Sequence, residues 1–216
     1  MLNIKPIQIL KIGLLITATQ FLFANSCKKE GSTKPCINSD YEFSVTSEFS
    51  PQREVYNIGD TIYFNSTFPK NLLNTISQKQ VDYINSVGIR GGISFSIMDT
   101  SLQQIKCAFS KFEMITFIGS FLLNNGILAE ESIGINFIEN TTNYQFKIGI
   151  KLKEKGLYQF GAFNLGSQGL KNQNCTNATF DMKVTNSNKN INLFQYALGY
   201  MPDALLQKSI YCFRVQ

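Results

Sequence analysis

Tyr144-Gln145-Phe146-Lys147-Ile148-Gly149-Ile150-Lys151-Leu152-Lys153 alternates strictly between apolar residues and polar or small ones. A period of two sends Tyr144, Phe146, Ile148, Ile150 and Leu152 to one face and the lysines, Gln145 and Gly149 to the other. An antiparallel strand with one side in a core and one in water reads this way. Glu154-Lys155-Gly156 then turns the chain into a second strand, Tyr158-Gln159-Phe160-Gly161-Ala162.

The same pattern extends outward on both sides. Tyr41, Phe43 and Val45 alternate with polar residues, and Phe49 follows after an irregularity. Ile62-Tyr63-Phe64 comes after the turn Asn57-Ile58-Gly59-Asp60, and Ile93, Phe95 and Ile97 alternate with serines. Ile133, Ile135 and Phe137 form another strand, as do Phe180, Met182 and Val184, and Tyr211, Phe213 and Val215 close the chain. From Ile105 to Ile118 a longer, less periodic apolar segment reads as one bent strand or two. Eight or so short strands separated by turns predict a mainly β, antiparallel β-sandwich. Two stretches leave the pattern. In 71–87, Leu73, Ile76, Ile84 and Val87 fit a helical grid broken by Gln80, which reads as a helix or as a long loop with a helical turn. Leu193, Tyr196, Ala197 and Tyr200 predict a short helix near the C-terminus that Pro202 ends, with Ala204 to Lys208 continuing helically beyond it.

Two motifs narrow the fold. Tyr56-Asn57-Ile58-Gly59-Asp60-Thr61-Ile62-Tyr63-Phe64 resembles the Y-x-x-G-D-x-I-x-F turn and strand of immunoglobulin-like bacterial domains. Gly156-Leu157-Tyr158-Gln159-Phe160 resembles the entry to their penultimate strand, and the resemblance implies a tyrosine corner at Tyr158. The tryptophan of true immunoglobulin domains is missing.

At the start of the chain, Lys5 and Lys11 precede an apolar run from Ile12 to Phe23 that contains Thr17, Thr19 and Gln20. The run is shorter than the ~20 residues of a membrane-spanning helix and suits an export signal. Ala24-Asn25-Ser26-Cys27 resembles a bacterial lipobox, with Ala24 where the family usually carries leucine. Ser26-Cys27-Lys28-Lys29-Glu30 is similar to the lipoprotein starts of Bacteroidota. The resemblance implies a signal peptide over 1–26, lipidation of Cys27, a tether over 27–39 and a sandwich domain over 40–216. It also implies residence in the bacterial cell envelope, lipid-anchored at the outer membrane, on either its periplasmic or its surface face.

A lipidated Cys27 leaves Cys36, Cys107, Cys175 and Cys212, an even number that suits two disulfides in an exported chain. Three connectivities are open to four cysteines, and Cys175–Cys212 with Cys36–Cys107 is the one favoured here. A zinc site is the competing reading, weakened by the absence of any C-x-x-C pair.

The composition removes several chemistries. Of 216 residues, 44% are hydrophobic and 16% charged, so the chain folds; without histidine there is no Ser-His-Asp or Cys-His catalysis and no histidine-ligated metal. The net charge of +5 falls to +3 once Lys5 and Lys11 are removed, and the lysines are scattered, which is no nucleic-acid footprint. No catalytic, cofactor or metal motif occurs. Glu130 and Glu131 are adjacent and would point to opposite faces of a strand, and Asp40, Asp60 and Asp99 lack a D-x-D-x-D calcium loop. Asn65, Asn140, Asn174 and Asn177 head N-x-S/T matches, which composition accounts for in an asparagine-rich chain. The expected role is a non-enzymatic binding or structural module whose partners are the membrane, through the lipid, and an envelope protein or glycan. The alternatives are an accessory glycan-binding lipoprotein, with exposed tyrosines such as Tyr63 or Tyr200 as its platform, and a carboxylate-dependent hydrolase.

Overall fold

β1 (Tyr41–Ser50) is shared by two sheets. Its first part, Tyr41 to Ser47, runs parallel to a late strand, and its last residues, Glu48 to Ser50, pair antiparallel with an early one. The computed structural model describes residues 41–122, 132–186 and 190–216. After β1 come β2 (Val55–Tyr56), β3 (Thr61–Pro69) and a small hairpin of β4 (Asn71–Asn74) and β5 (Lys79–Asp82). β6 (Ile89–Asp99) leads to β7 (Gln104–Cys107), then through a single 3-10 turn to β8 (Phe112–Ile118) and β9 (Ser120–Leu122). β10 (Ile133–Asn136), β11 (Ile138–Glu139), β12 (Asn143–Leu152), β13 (Gly156–Ala162), β14 (Leu165–Ser167) and β15 (Ala178–Val184) follow. Helices α1 (Ile191–Leu198) and α2 (Ala204–Ser209) precede the closing strand β16 (Ile210–Val215).

The first sheet runs β1–β15–β14–β6–β13–β16–β2, with β7 and β10 on the other side of β6 and β9 beyond β10. The second runs β1–β3–β12, with β8 and β11 beyond β12. Pairing is antiparallel except for β1 with β15 and β2 with β16, which are parallel. The inner faces meet through aromatic rings. Phe68 lies 5.7 Å from Phe180, Phe49 lies 5.6 Å from Phe160, and Phe112 lies 5.2 Å from Phe160, each pair reaching across the sandwich. This is the mainly β sandwich that the alternation predicts. In β12 the five predicted inward residues, Tyr144, Phe146, Ile148, Ile150 and Leu152, are all buried.

Both motifs take the expected form. The Asp60 carboxylate accepts the Asn57 N–H at 2.9 Å and closes the turn, while Ile62 and Phe64 enter the core. The Tyr158 hydroxyl donates to the Glu154 carbonyl at 3.0 Å, four residues upstream, as a tyrosine corner does. The irregularity before Phe49 is Ser47, an inward position in phase with Val45 and Phe49. The segment 105–118 is two strands, and the 3-10 turn between them carries the chain from the first sheet to the second.

Neither the helix nor the long loop expected over 71–87 forms; the segment opens with the β4–β5 hairpin. Leu72 and Tyr83 face the core, and Leu73, Ile76, Ile84 and Val87, the helical grid, are exposed. Gln78 sits at the hairpin tip with φ 56°. Near the C-terminus α1 forms, but Gly199 ends it before Pro202 is reached. Gly199 takes φ 78° and its N–H bonds back to the Gln195 carbonyl at 2.9 Å. Asp203 then caps α2, accepting the Leu206 N–H at 2.7 Å.

α1 lies on the outer face of the first sheet. Leu193, Phe194, Ala197 and Leu198 bury Met98, Leu157, Ile210 and Cys212 in a second, smaller core. Both helices pack on the first sheet, α1 against β16, β6 and β13 and α2 against β15. No helix among the described residues is long and apolar enough to cross a membrane.

Candidate functional site

The signal segment 1–26, Cys27, the tether 27–39, Cys36, Asp40, Glu130 and Glu131 lie outside the described residues. The other cysteines correct the expected pairing: Cys107 is an exposed free thiol and Cys212 a buried free thiol, so neither Cys175–Cys212 nor Cys36–Cys107 exists. Cys175 is disulfide-bonded, and no disulfide joins two of the described cysteines. The reason is topological. Cys212 points out of the first sheet into the core beneath α1, where burial pushes its thiol up to about 12. Cys107 sits opposite Ser96 on the β7 edge.

The aspartates expected as calcium candidates serve turns. Asp60 closes the Asn57 turn, with the Arg53 guanidinium at 3.8 Å. Asp99 binds Lys106 at 2.7 Å and accepts from the Ser101 hydroxyl and the Leu102 N–H, and these partners hold its carboxyl well below the usual range. No group of three metal-ligating side chains occurs among the described residues. Glu139 is the acid with a strong tertiary role, bonded to the Lys70 ammonium at 2.9 Å and to the Asn85 N–H at 2.9 Å. Burial pushes its pKa up, but the Asn85 N–H and Lys70 outweigh it, so the net shift is downward from 4.5. A lowered folded pKa means stabilisation that is present above the unfolded pKa and is lost as pH falls through the folded one. Glu139→Gln is therefore expected to lose less stability than the parent between about pH 6 and pH 3 in paired urea titrations. Equal losses would show that Glu139 has no such role.

Two concavities adjoin on the outer face of the first sheet. One of about 460 Å³ is lined by residues that include Glu42 and Asp181, and one of about 380 Å³ shares Asp181 and adds Asp203 and Leu205. A general acid needs a desolvated carboxyl that stays protonated. These three acids are exposed. Asp181 is paired with Lys183 at 3.3 Å, and Asp203 caps α2.

The second sheet has a different outer face, against which neither helix packs. Tyr63 on β3 and Phe117 on β8 bring their rings to a centroid separation of 5.8 Å, inclined at 50°. They meet above Gly149 of β12. A Cβ there would lie 3.1 Å from the Phe117 ring, 3.2 Å from the Thr61 methyl and 3.5 Å from the Tyr63 ring, so a larger residue would push the Phe117 ring outward. Phe117 reaches the spot through a bulge: Lys147 pairs with Ile118 and Ile148 with Thr116, leaving Phe117 as the extra residue. It is 53% exposed. The Lys147 ammonium hangs over both rings, 5.6 Å from the Tyr63 centroid and 5.8 Å from that of Phe117. Asn65, Thr67 and Gln145 share this face, since Gln145 lies opposite Thr67 and Lys147 opposite Asn65. Beyond Asn65, a cavity of about 180 Å³ opens where β1 passes between the sheets.

Of the two tyrosines expected as platforms, Tyr63 is on this face, whereas Tyr200 is exposed at the end of α1 and packs edge-on against Phe194 at 5.5 Å. The sequence reading missed Phe117, Lys147 and Gly149. The loss of clean periodicity near Phe117 was the one available signal, and it marked the bulge.

No family model matches the chain. No curated protein matches it either. Among solved structures, the second type II cohesin module from the cellulosomal adaptor ScaA scaffoldin of Acetivibrio cellulolyticus is similar at 10% identity over 56% of this chain and 75% of that one, with a TM-score of 0.28. A type II cohesin domain from the cellulosome of the same organism gives 9% identity over 63% and 84%, with a TM-score of 0.28. A structure described as "AvmM Catalyzes Macrocyclization in Alchivemycin A Biosynthesis" gives 11% over 82% and 96%, with a TM-score of 0.36. Likeness at this level assigns neither family nor function.

Proposed function

We propose that this chain is a lipid-anchored protein of the bacterial envelope, attached through Cys27, and that it acts as a non-enzymatic binding module. The recognition surface is the open face of the second sheet. The observation that carries this reading is the Tyr63–Phe117 pair, held above Gly149 with Lys147 across it, on a sheet face that neither helix covers. An exposed ring paired with a half-buried one offers a partner an apolar surface at little conformational cost, which supports reading this face as a binding surface. Asp181 is engaged in an ion pair and Asp203 in a cap, and Glu42 is exposed, which gives the hydrolase reading less support.

The anchor and the cysteines are tested together. Radiolabelled fatty acid is expected to enter the wild type and not Cys27→Ala, and protease added to intact cells then reports which face of the membrane carries the domain. Of the five cysteines, two are free in the structure, so a lipidated Cys27 leaves Cys36 as the partner of Cys175. Non-reducing peptide mapping should join Cys175 to Cys36. A Cys175–Cys27 peptide, or a wild type that takes up no label, would overturn the anchor.

A further inference from the structure

We infer that the Tyr63–Phe117 platform binds a neutral glycan chain, seating one pyranose ring on the aromatic pair. The inference rests on reading the open face of the second sheet as the recognition surface.

Charge narrows the class of ligand. The outward strand positions of this sheet carry two acids, Glu48 and Glu113, and two bases, Lys147 and Lys151. Lys151 is already turned to Glu113 at 3.8 Å. Glu48 and Lys147 flank Asn65 in a single row across β1, β3 and β12. The strand positions therefore balance, and the exposed Lys153 that follows β12 leaves a single positive charge in excess. Nucleic acid and anionic lipid both require a larger surplus of positive charge, and a basic peptide requires the opposite.

The chemistry of what remains suits a sugar better than a protein. Protein partners anchor large side chains in desolvated apolar pockets. The cavity beyond Asn65 is lined instead by Thr46, Ser47, Glu48, Asn65, Thr67 and Thr185, whose polar groups share the wall about equally with their carbon atoms. Among the described residues, the side chains of Asn65, Thr67 and Gln145 have no hydrogen-bond partner, so their donors and acceptors are available. A pyranose presents C–H groups on its faces and hydroxyls around its rim. The C–H groups carry partial positive charge and settle on the negative faces of aromatic rings once the long Lys147 side chain, whose ammonium lies over both rings, swings aside to meet the rim hydroxyls. The rim hydroxyls then meet amides, threonines and the Glu48 carboxylate. A ring seated on Tyr63 and Phe117 leaves the next sugar over Asn65 and the cavity beyond it, so the site fits a chain better than a monosaccharide.

Affinity electrophoresis of the full chain in detergent tests this directly. The gels contain hydroxyethyl cellulose, xylan, galactomannan or dextran as neutral probes and polygalacturonate as the acidic one. At least one neutral polysaccharide is expected to retard the protein, and polygalacturonate is not. Tyr63→Ala and Phe117→Ala should each weaken retention roughly tenfold, while Tyr196→Ala, an exposed ring on α1, leaves it unchanged. Gly149→Val, checked for an intact thermal transition, should weaken it similarly by pushing the Phe117 ring outward. Retention that survives all three platform substitutions would overturn both the inference and the open-face reading. Retention by polygalacturonate alone would overturn the neutral class and leave the face standing. If no polysaccharide binds, a photo-crosslinking residue at position 117 decides. Attachment to one defined envelope protein in living cells overturns the glycan and keeps the face, and attachment to nothing overturns both.

Discussion

A thiol reagent added to the folded protein near neutral pH is expected to modify Cys107 at once and Cys212 at least about tenfold more slowly. Only the thiolate reacts, and burial raises the Cys212 pKa from 9.0 to about 12, which sharply lowers its thiolate fraction. Access is a second barrier. Cys212 is fully buried among Met98, Leu157, Leu193, Phe194, Ala197, Leu198 and Ile210, so α1 must detach before the reagent can reach it. Cys107 is exposed on an edge strand and has no such cover. Timed alkylation followed by peptide mass spectrometry reads both sites, and urea should abolish the difference. Equal rates in the native protein would mean that α1 does not cover β16.

Phe160→Ala should produce the largest loss of stability of any single truncation discussed here, about 3–5 kcal/mol. Phe160 is fully enclosed and touches rings from both sheets, with centroids 4.5 Å away at Phe95, 4.7 Å at Phe213, 5.2 Å at Phe112 and 5.6 Å at Phe49. Aromatic neighbours cannot slump into the space, because each is fixed by its own strand, so the cavity stays open and the lost contacts are not replaced. A domain of this size holds only about 5–15 kcal/mol in total, so the urea midpoint should fall by a large fraction with little change in slope. Phe117→Ala, on the solvent side of the other sheet, is expected within about 1 kcal/mol of the parent. A small effect at Phe160 would mean that the two sheets do not pack through these rings.

The contrast between these two phenylalanines separates what is local from what is not. That β12 is a strand with Tyr144 and Phe146 inward is written in its own ten residues, because the pleat turns alternate side chains to opposite faces wherever the strand lies. The Asp60 turn and the Tyr158 corner are equally local, each closed by a hydrogen bond spanning three or four residues. The grid of Leu73, Ile76, Ile84 and Val87 misled because helical spacing on a short stretch does not say whether those residues are buried. Packing against the core selected Leu72 and Tyr83 instead.

By itself, the sequence determined the long alternating strands such as β1, β3, β12 and β15 with their inward faces, the two turn motifs, the C-terminal helix and the want of any histidine chemistry, but not the β4–β5 hairpin. The tertiary structure alone decided which sheet α1 would cover and hence which face stays open. It also decided that Cys212 would be sealed beneath α1 while Cys107 stays at an edge, and that Tyr63, Phe117 and Gly149, from three strands far apart in the chain, would form one surface. The physical reason is that side-chain alternation follows from the covalent pleat of a single strand. Adjacency between strands depends on register, on a one-residue bulge and on which apolar face the helix can bury, and those are settled only when the whole chain packs.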